Sequence, residues 1–375
     1  MVVVLIFGGF IIGAVSGLIY LYTRFLRFLM KYRWKDHWAD KKWMARLIAA
    51  IPIVCLLLYC VLDLVNGVIV TVNILAIWLI ADFLDRIVRM IRKRDKKPEE
   101  AAGMYWAGVG AILFSAVYLG SGWYFAHHVY ETDYVVKTDK GLGADNFRIV
   151  QVSDSHVGCT FDGEGFAAQL ERIQGTEPDI LVITGDFVDD DTSREDMIKC
   201  CEALGKFQTK YGIYFVYGNH DKGYFDRRDF KDEDLRAELL KNHVTILEDE
   251  AVMIGENICL IGRKDRSMPE RADMDTLMRE IDPARYVVVL DHQPHDFQAQ
   301  ADVGADLVLC GHTHGGQMFP VGITGELSGA NDKTYGLEIR NKTTFIVNSG
   351  ISDWAIRYKT GGAIAEFGVI DIRSE

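Results

Sequence analysis

The first 130 residues alternate long apolar runs with short basic stretches, and the rest of the chain alternates short apolar runs with amphipathic ones. Val2 to Tyr22 is uncharged, and at about 1.5 Å per residue it is long enough to cross a hydrocarbon core of about 30 Å. No basic stretch precedes it and no Ala-x-Ala follows, which predicts an uncleaved anchor rather than a signal peptide. Leu47 to Ala81 is apolar apart from Asp63. As one helix it would run roughly 50 Å, so it is expected to fold back, and Asn66-Gly67 is the turn signal near its middle. With Ala101 to Ala126, residues 1–130 form a membrane region of four transmembrane helices at about 2–22, 47–65, 68–84 and 102–126. Residues 131–144 read as a linker and 145–375 as a second domain.

The loops orient the spans. Arg24, Arg27, Lys31, Arg33, Lys35, Lys41, Lys42 and Arg46 lie between the first two, and Arg86, Arg89, Arg92, Lys93, Arg94, Lys96 and Lys97 between the last two. Cytoplasmic loops collect Lys and Arg, which puts both inside and the N-terminus and second domain outside the cytoplasm. Asp63, Asp82 and Asp85 fall near span ends and suggest no ion pathway.

From residue 145 the period changes. Phe147–Val152, Ile180–Thr184, Ile213–Tyr217, Tyr286–Leu290 and Leu307–Cys310 read as buried strands, and Phe166–Ile173, Ser193–Phe207, Glu233–Lys241 and Met274–Ile281 as helices. The last stretch, Tyr335 to Ile372, has β-rich pieces at Thr344–Val347 and Ala363–Ile370 and no clear helix. The chain thus combines an α-helical transmembrane region with an α/β C-terminal domain.

Charge divides the same way: residues 1–130 carry 15 Lys and Arg against 8 Asp and Glu, and the rest 26 against 45, giving +7 and −19 within the overall −12. The basic part suits an anionic membrane face, while the acidic part repels a polyanion, so membrane lipids are expected partners and nucleic acid is not. The seven cysteines show neither a disulfide framework nor a Cys-x-x-Cys pair.

The chemistry collects at strand ends, where open α/β sheets place their ligands. In order these ends carry Asp154-Ser155-His156, Gly185-Asp186, Gly218-Asn219-His220-Asp221, Asp291-His292 and Gly311-His312-Thr313-His314. Alternating Asp-x-His and His-x-His pairs leave a strand on one side, so two donors converge. Singly, Asp-x-His is most often a surface loop and Gly-Asp a turn; all five after strands mark a metal centre. Carboxylate, imidazole and amide donors suit Mn, Fe or Zn rather than an all-oxygen ion.

This series resembles the calcineurin-like metallophosphoesterase superfamily over about residues 145–372, and Asp291-His292-Gln293-Pro294 through Gly311 to Gln317 resembles its membrane-anchored branch. Ser155 departs from a commonly apolar position. The resemblance implies a two-sheet sandwich flanked by helices and two divalent metal ions. Asp154, His156 and His314 would hold one, Asn219, His292 and His312 the other, and Asp186 would bridge them. His220 would lie beside the substrate phosphate, with Asp221 orienting it. Two metals about 3.5–4 Å apart clamp a phosphoryl group and lower the pKa of bound water, which makes a hydroxide nucleophile available at neutral pH. Protonated His220 would stabilise the transition state or protonate the leaving oxygen.

The expected substrate is a phosphodiester, pyrophosphate or phosphomonoester, and the branch resemblance points to lipid-linked or cell-envelope esters. A metal-binding receptor or scaffold, or a regulatory domain on a transporter, are the other readings; the complete ligand series favours the enzyme. Arg263, Lys264, Asp265 and Arg266 read as a solvated charged loop before a phosphate-binding one, and His295 as a helix-start residue or a support to the metals.

Overall fold

The computed structural model describes residues 2–31, 41–91, 104–143, 145–224 and 227–374, with residues 2–11 described by their backbone alone. The chain divides into two compact units, Met1–Ser121 and Gly122–Glu375.

The first unit consists of helices α1 (Val2–Lys31), α2 (Lys42–Leu62), α3 (Leu64–Ile91) and the greater part of α4 (Trp106–His127). All four are long and apolar enough to cross a membrane. Outward-facing Val61, Leu62, Leu64, Phe114 and Val117 are exposed, as lipid contact requires, while Leu21, Leu56, Trp78, Tyr105 and Ala111 pack inside. Asp82 is buried there, accepting from Tyr20 Oη at 2.8 Å and from Tyr105 Oη and pairing with Arg24 at 3.0 Å. It ties α3 to α1 and to Tyr105, the residue just before α4, a role that its position near a span end did not suggest. Arg33, Lys35, Arg92, Lys93, Arg94, Lys96 and Lys97, part of the orientation argument, lie outside the described residues.

The hairpin turns earlier than expected. Asp63 is the break: it is extended, and its carboxylate accepts from Asn66 N at 3.1 Å and Asn66 Nδ2 at 2.9 Å, capping α3. Asn66 and Gly67 are therefore in the first turn of α3. Gly67 is needed for close approach, because a Cβ there would meet Cys60 Cα and N at 2.6 Å.

The second unit is two six-stranded sheets between helical layers. One runs β1 (Tyr130–Thr138), β12 (Glu366–Ser374), β2 (Asn146–Val152), β3 (Ile180–Thr184), β4 (Ile213–Val216), β5 (Val244–Ile246). The other runs β10 (Gly336–Arg340), β11 (Thr343–Val347), β9 (Leu307–Cys310), β8 (Tyr286–Leu290), β7 (Ile258–Gly262), β6 (Glu250–Ile254). β2 to β5 are mutually parallel, as are β7, β8, β9 and β11. The two-sheet sandwich expected from the resemblance is what the chain forms.

Each central strand is apolar at consecutive positions because both its faces are buried. Ile149, Val182 and Val216 meet Leu260, Val288 and Leu309 between the sheets. Val150, Leu181 and Phe215 face outward against α5 (Gly163–Gln174), α6 (Arg194–Lys206) and α7 (Asp232–Lys241) through Phe166, Met197 and Leu235. Val287 and Val308 do the same against α8 (Met274–Met278) and α9 (Phe297–Asp302).

Residues 131–144 are not simply a linker. Tyr130–Thr138 pairs in parallel with β12 along its whole length. The alternation of exposed Glu131, Asp133, Val135 and Lys137 with less exposed Thr132, Tyr134, Val136 and Thr138 is that of an edge strand covered on one face. Only residues 128 and 129 separate it from α4.

Candidate metal centre

Five strands deliver the site, three from one sheet and two from the other. β2 leads into Asp154 and His156, β3 into Asp186, and β4 into Asn219 and His220; across the sandwich, β8 leads into His292 and β9 into His312 and His314. Two groups of donor atoms form from strand-end residues alone, Asp154 with His156 and His314, and Asp186 with His292 and His312, each within 4.8 Å of one another, and a third joins His156 to Asp189 and His220. Asp186 Oδ2 lies 3.1 Å from His292 Nε2 and 3.7 Å from His156 Nε2, so one carboxylate oxygen faces both groups. Asn219 Oδ1 is 3.1 Å from His292 Nε2.

The backbone is strained where these residues sit. Asp154, His156, Asp186, His312 and His314 have φ of 52°, 35°, 51°, 72° and 47°. Such conformations cost of order 1–3 kcal/mol each in non-glycine residues and collect at functional sites. Gly311 admits the approach of the two sheets: a Cβ there would stand 1.8 Å from Ser153 Oγ and 2.3 Å from Asp154 Oδ2.

Hydrogen bonds behind the ligands aim them. His292 Nδ1 lies 2.8 Å from the Thr184 carbonyl, which can only accept, so Nδ1 carries the proton and Nε2 points inward. Nε2 then faces the Asp186 carboxylate and the Asn219 amide oxygen, a convergence of acceptors that calls for a cation. The other group behaves alike: His156 Nδ1 is 3.0 Å from Asp189 Oδ2, and its Nε2 faces His314 Nε2 at 3.2 Å. Burial holds both His312 and His314 below the usual histidine range, so both are unprotonated donors at neutral pH. The residues fit a pair of divalent ions. Asp291 adds a buried anchor, accepting from Arg263 Nη1 at 2.9 Å, Arg271 Nη2 at 2.5 Å and Gln300 Nε2 at 2.8 Å. Arg263 and Asp265 are thus buried rather than in a solvated loop.

His220 stands at the edge, its Nδ1 2.9 Å from Asp189 Oδ1. Burial alone would depress its pKa, but that hydrogen bond and the charges of Asp186, Asp189 and Asp221 raise it to about 9. Asp221 does not orient it, contrary to the sequence expectation. Fully buried, its carboxylate accepts from the backbone N–H groups of Asp186, Phe187, Val188 and Gly218 at 2.7–3.1 Å and so ties the β3 and β4 loops together. Asp189 takes the orienting role. Its signal was the Asp189-Asp190-Asp191 run just after Asp186. Two aromatics also escaped notice: Tyr224 packs edge-on against the His220 ring at 4.9 Å and accepts from Asn219 Nδ2 at 2.7 Å, and exposed Trp354 lies near both His220 and His314.

A family model described as calcineurin-like phosphoesterase matches residues 147–316. An uncharacterized metallophosphoesterase of Aquifex aeolicus is 31% identical over 221 residues, covering 56% of this chain and 80% of that protein. A zebrafish transmembrane protein with metallophosphoesterase domain is 28% identical, covering 64% of this chain and 57% of its own length, so the chain spans little more than half of that relative. Among solved structures, a dimetal phosphatase from Danio rerio is 10% identical with a TM-score of 0.38, over 54% of this chain and 87% of that one.

Proposed function

Because this chain belongs to the calcineurin-like metallophosphoesterases, we propose that its second unit hydrolyses phosphodiester, pyrophosphate or phosphomonoester bonds at a two-metal centre built from the residues above. The observation that carries this reading is the shared Asp186: one carboxylate oxygen faces an imidazole of each donor group. Asp154, His156 and His314 would hold one ion and Asn219, His292 and His312 the other, with Asp186 common to both. Mn, Fe or Zn fits the donors, and when bound the pair supplies charge neutralisation for phosphoryl oxygens and acidifies water.

The chain's own residues do the rest. Asp189 fixes the direction of His220 by accepting a hydrogen bond from its Nδ1–H, leaving Nε2–H of the imidazolium to donate to a phosphoryl or leaving oxygen. Tyr224 and Trp354 flank that imidazole and form walls for the leaving group. The acidic surface disfavours nucleic acid as a substrate.

The substrate is a phosphate ester at the membrane, lipid-linked or part of the cell envelope, and the unit faces away from the cytoplasm. Four apolar helices and the basic character of the described loop residues support this placement. The test is hydrolysis by the detergent-purified full chain, loaded in turn with Mn, Fe and Zn, of phospholipids, nucleotide-diphosphate lipids, bis(p-nitrophenyl) phosphate and p-nitrophenyl phosphate. Turnover that requires metal supports the reading; a metal-loaded chain that turns over none of them overturns it.

A further inference from the structure

Immediately after the His314 ligand the chain exposes apolar side chains where a soluble surface would be polar. Phe319, Val321, Ile323 and Leu327 are 62%, 56%, 56% and 82% exposed, and the short helix α10 (Val321–Leu327) buries none of its residues. It carries no Lys or Arg. Its one carboxylate, Glu326, is exposed but tied back to the domain, accepting from Thr334 N at 2.7 Å. Beneath it lies a groove of about 430 Å³ lined by Gly315, Ile323, Leu327 and Tyr335, with Glu326 and Thr334 at one side, which starts one residue beyond His314. Clustered exposed apolar groups of this kind mark an interaction site.

The second unit's own hydrogen bonds identify what covers them. Gln317 O accepts from Thr360 N at 2.9 Å and Gly361 N at 3.3 Å, and Lys359 N donates to Gly122 O at 2.9 Å. Gly122 opens the last turn of α4, a helix apolar enough to cross a membrane. Lys359–Gly361 therefore joins the root of the apolar segment to the end of that helix across at most about 10 Å of chain. Trp123 and Tyr124, in the same turn, are themselves exposed, the residue types that settle at the membrane–water boundary.

We propose that Phe319–Leu327 is a lipid-facing segment that seats the mouth of the metal centre on the bilayer, with the groove behind it open to an acyl chain. This rests on the reading of α4 as a membrane span and deepens the membrane-substrate reading above. The apolar face enters the head-group layer, as interfacial helices do, and ester phosphates reach the site from the membrane plane rather than from bulk water.

The test uses the full chain in vesicles of phosphatidylcholine and phosphatidylglycerol. Leu327→Cys, in a background of Cys55→Ser, Cys60→Ser and Cys159→Ser, carries an environment-sensitive nitrobenzoxadiazole dye, with Glu171→Cys as the exposed reference. Blue-shifted emission at position 327, quenched by doxyl-labelled lipid and not by aqueous iodide, is expected. Quenching by iodide to the extent seen at position 171 overturns the proposal. Protection from both quenchers also overturns it, since a second copy or another protein then covers the segment. A chain with all native cysteines and p-benzoylphenylalanine in place of Ile323 gives an independent readout: photo-adducts of lipid mass are expected, and their absence counts against docking. Neither readout uses turnover, so a docked but inactive chain rejects the proposed hydrolysis alone, and an active chain with position 327 in water rejects the docking alone.

Discussion

Asp189 Oδ1 lies 2.9 Å from His220 Nδ1, while the other oxygen of the same carboxylate reaches His156 Nδ1 at 3.0 Å. One side chain thus holds both the imidazole proposed to face the substrate and an imidazole of a candidate metal group. Asp189→Asn can satisfy one ring as an acceptor but must present its amide N–H₂ to the other. We expect kcat to fall roughly 10–100-fold, with a measurable loss of metal affinity, the usual cost of removing a partner behind a ligating imidazole. Unchanged kcat and metal content in this variant would show that the two hydrogen bonds are idle.

Asp221 should behave differently. Asp221→Asn confronts four buried backbone N–H groups with a single acceptor oxygen and two more donors. Unsatisfied buried donors cost about 1–3 kcal/mol each, so a clear fall in thermal midpoint is expected, with less effect on kcat in the metal-loaded fraction than Asp189→Asn causes. The reverse ranking of kcat losses would restore the catalytic role that the sequence suggested.

The shared carboxylate is tested by elemental analysis. Asp186→Ala should lose most of both ions and nearly all turnover, whereas His220→Ala should keep both ions and lose roughly 10²–10⁴ in kcat, most severely on esters with poor leaving groups. An Asp186→Ala protein that retains two ions, or a His220→Ala protein that loses one, contradicts the assignment.

Away from the site, Asp371 on β12 is held by Arg148 on β2 at 2.8 Å, and that bond, reinforced by Arg373 and opposed by partial burial, lowers its pKa to about 2. A depressed carboxylate contributes stability that is fully present above its unfolded value of about 4 and lost as pH falls through the folded one. Thermal midpoints of the wild type and Asp371→Asn should therefore differ most near neutrality and converge as pH falls from about 4 towards about 2. A gap that stays constant over that window would assign the difference to packing.

Orientation is open to a direct measurement. Lys137 is exposed on β1, whereas Thr138 beside it is buried, so Lys137→Cys is the better reporter. In a Cys159→Ser background, a membrane-impermeant thiol reagent should label it in intact cells. Labelling only after lysis would place the second unit in the cytoplasm.

The strand-end residues were legible because ligands must alternate and converge, and because strands buried on both faces spell themselves as apolar runs. Asp154, His156, Asp186, Asn219, His292, His312 and His314 lie together at those strand ends. What lay beyond it was set by contacts across the fold. Asp221 follows His220 in sequence, yet the side chain that touches the ring is Asp189, from the loop of a neighbouring strand. Asn66-Gly67 is a sound turn signal, but Asp63 offered a cap three residues earlier and Gly67 was required by a helix crossing. β1 escaped because its exposed side chains are those of an edge, and its partner, β12, is far from it in sequence.

That last pairing governs the timing of assembly. β12, the final described strand, inserts between β1 and β2, both of which leave the ribosome long before it. Until Glu366–Ser374 has been synthesised, β1 has no neighbour, β2 has a bare edge, and Gly350, which adjoins Asp154, lacks the Glu366 N–H that binds its carbonyl. A nascent chain can thread its helices into a membrane while this unit stays open. Closing the sheet, and with it the pocket able to retain metal, then waits on the synthesis of β12.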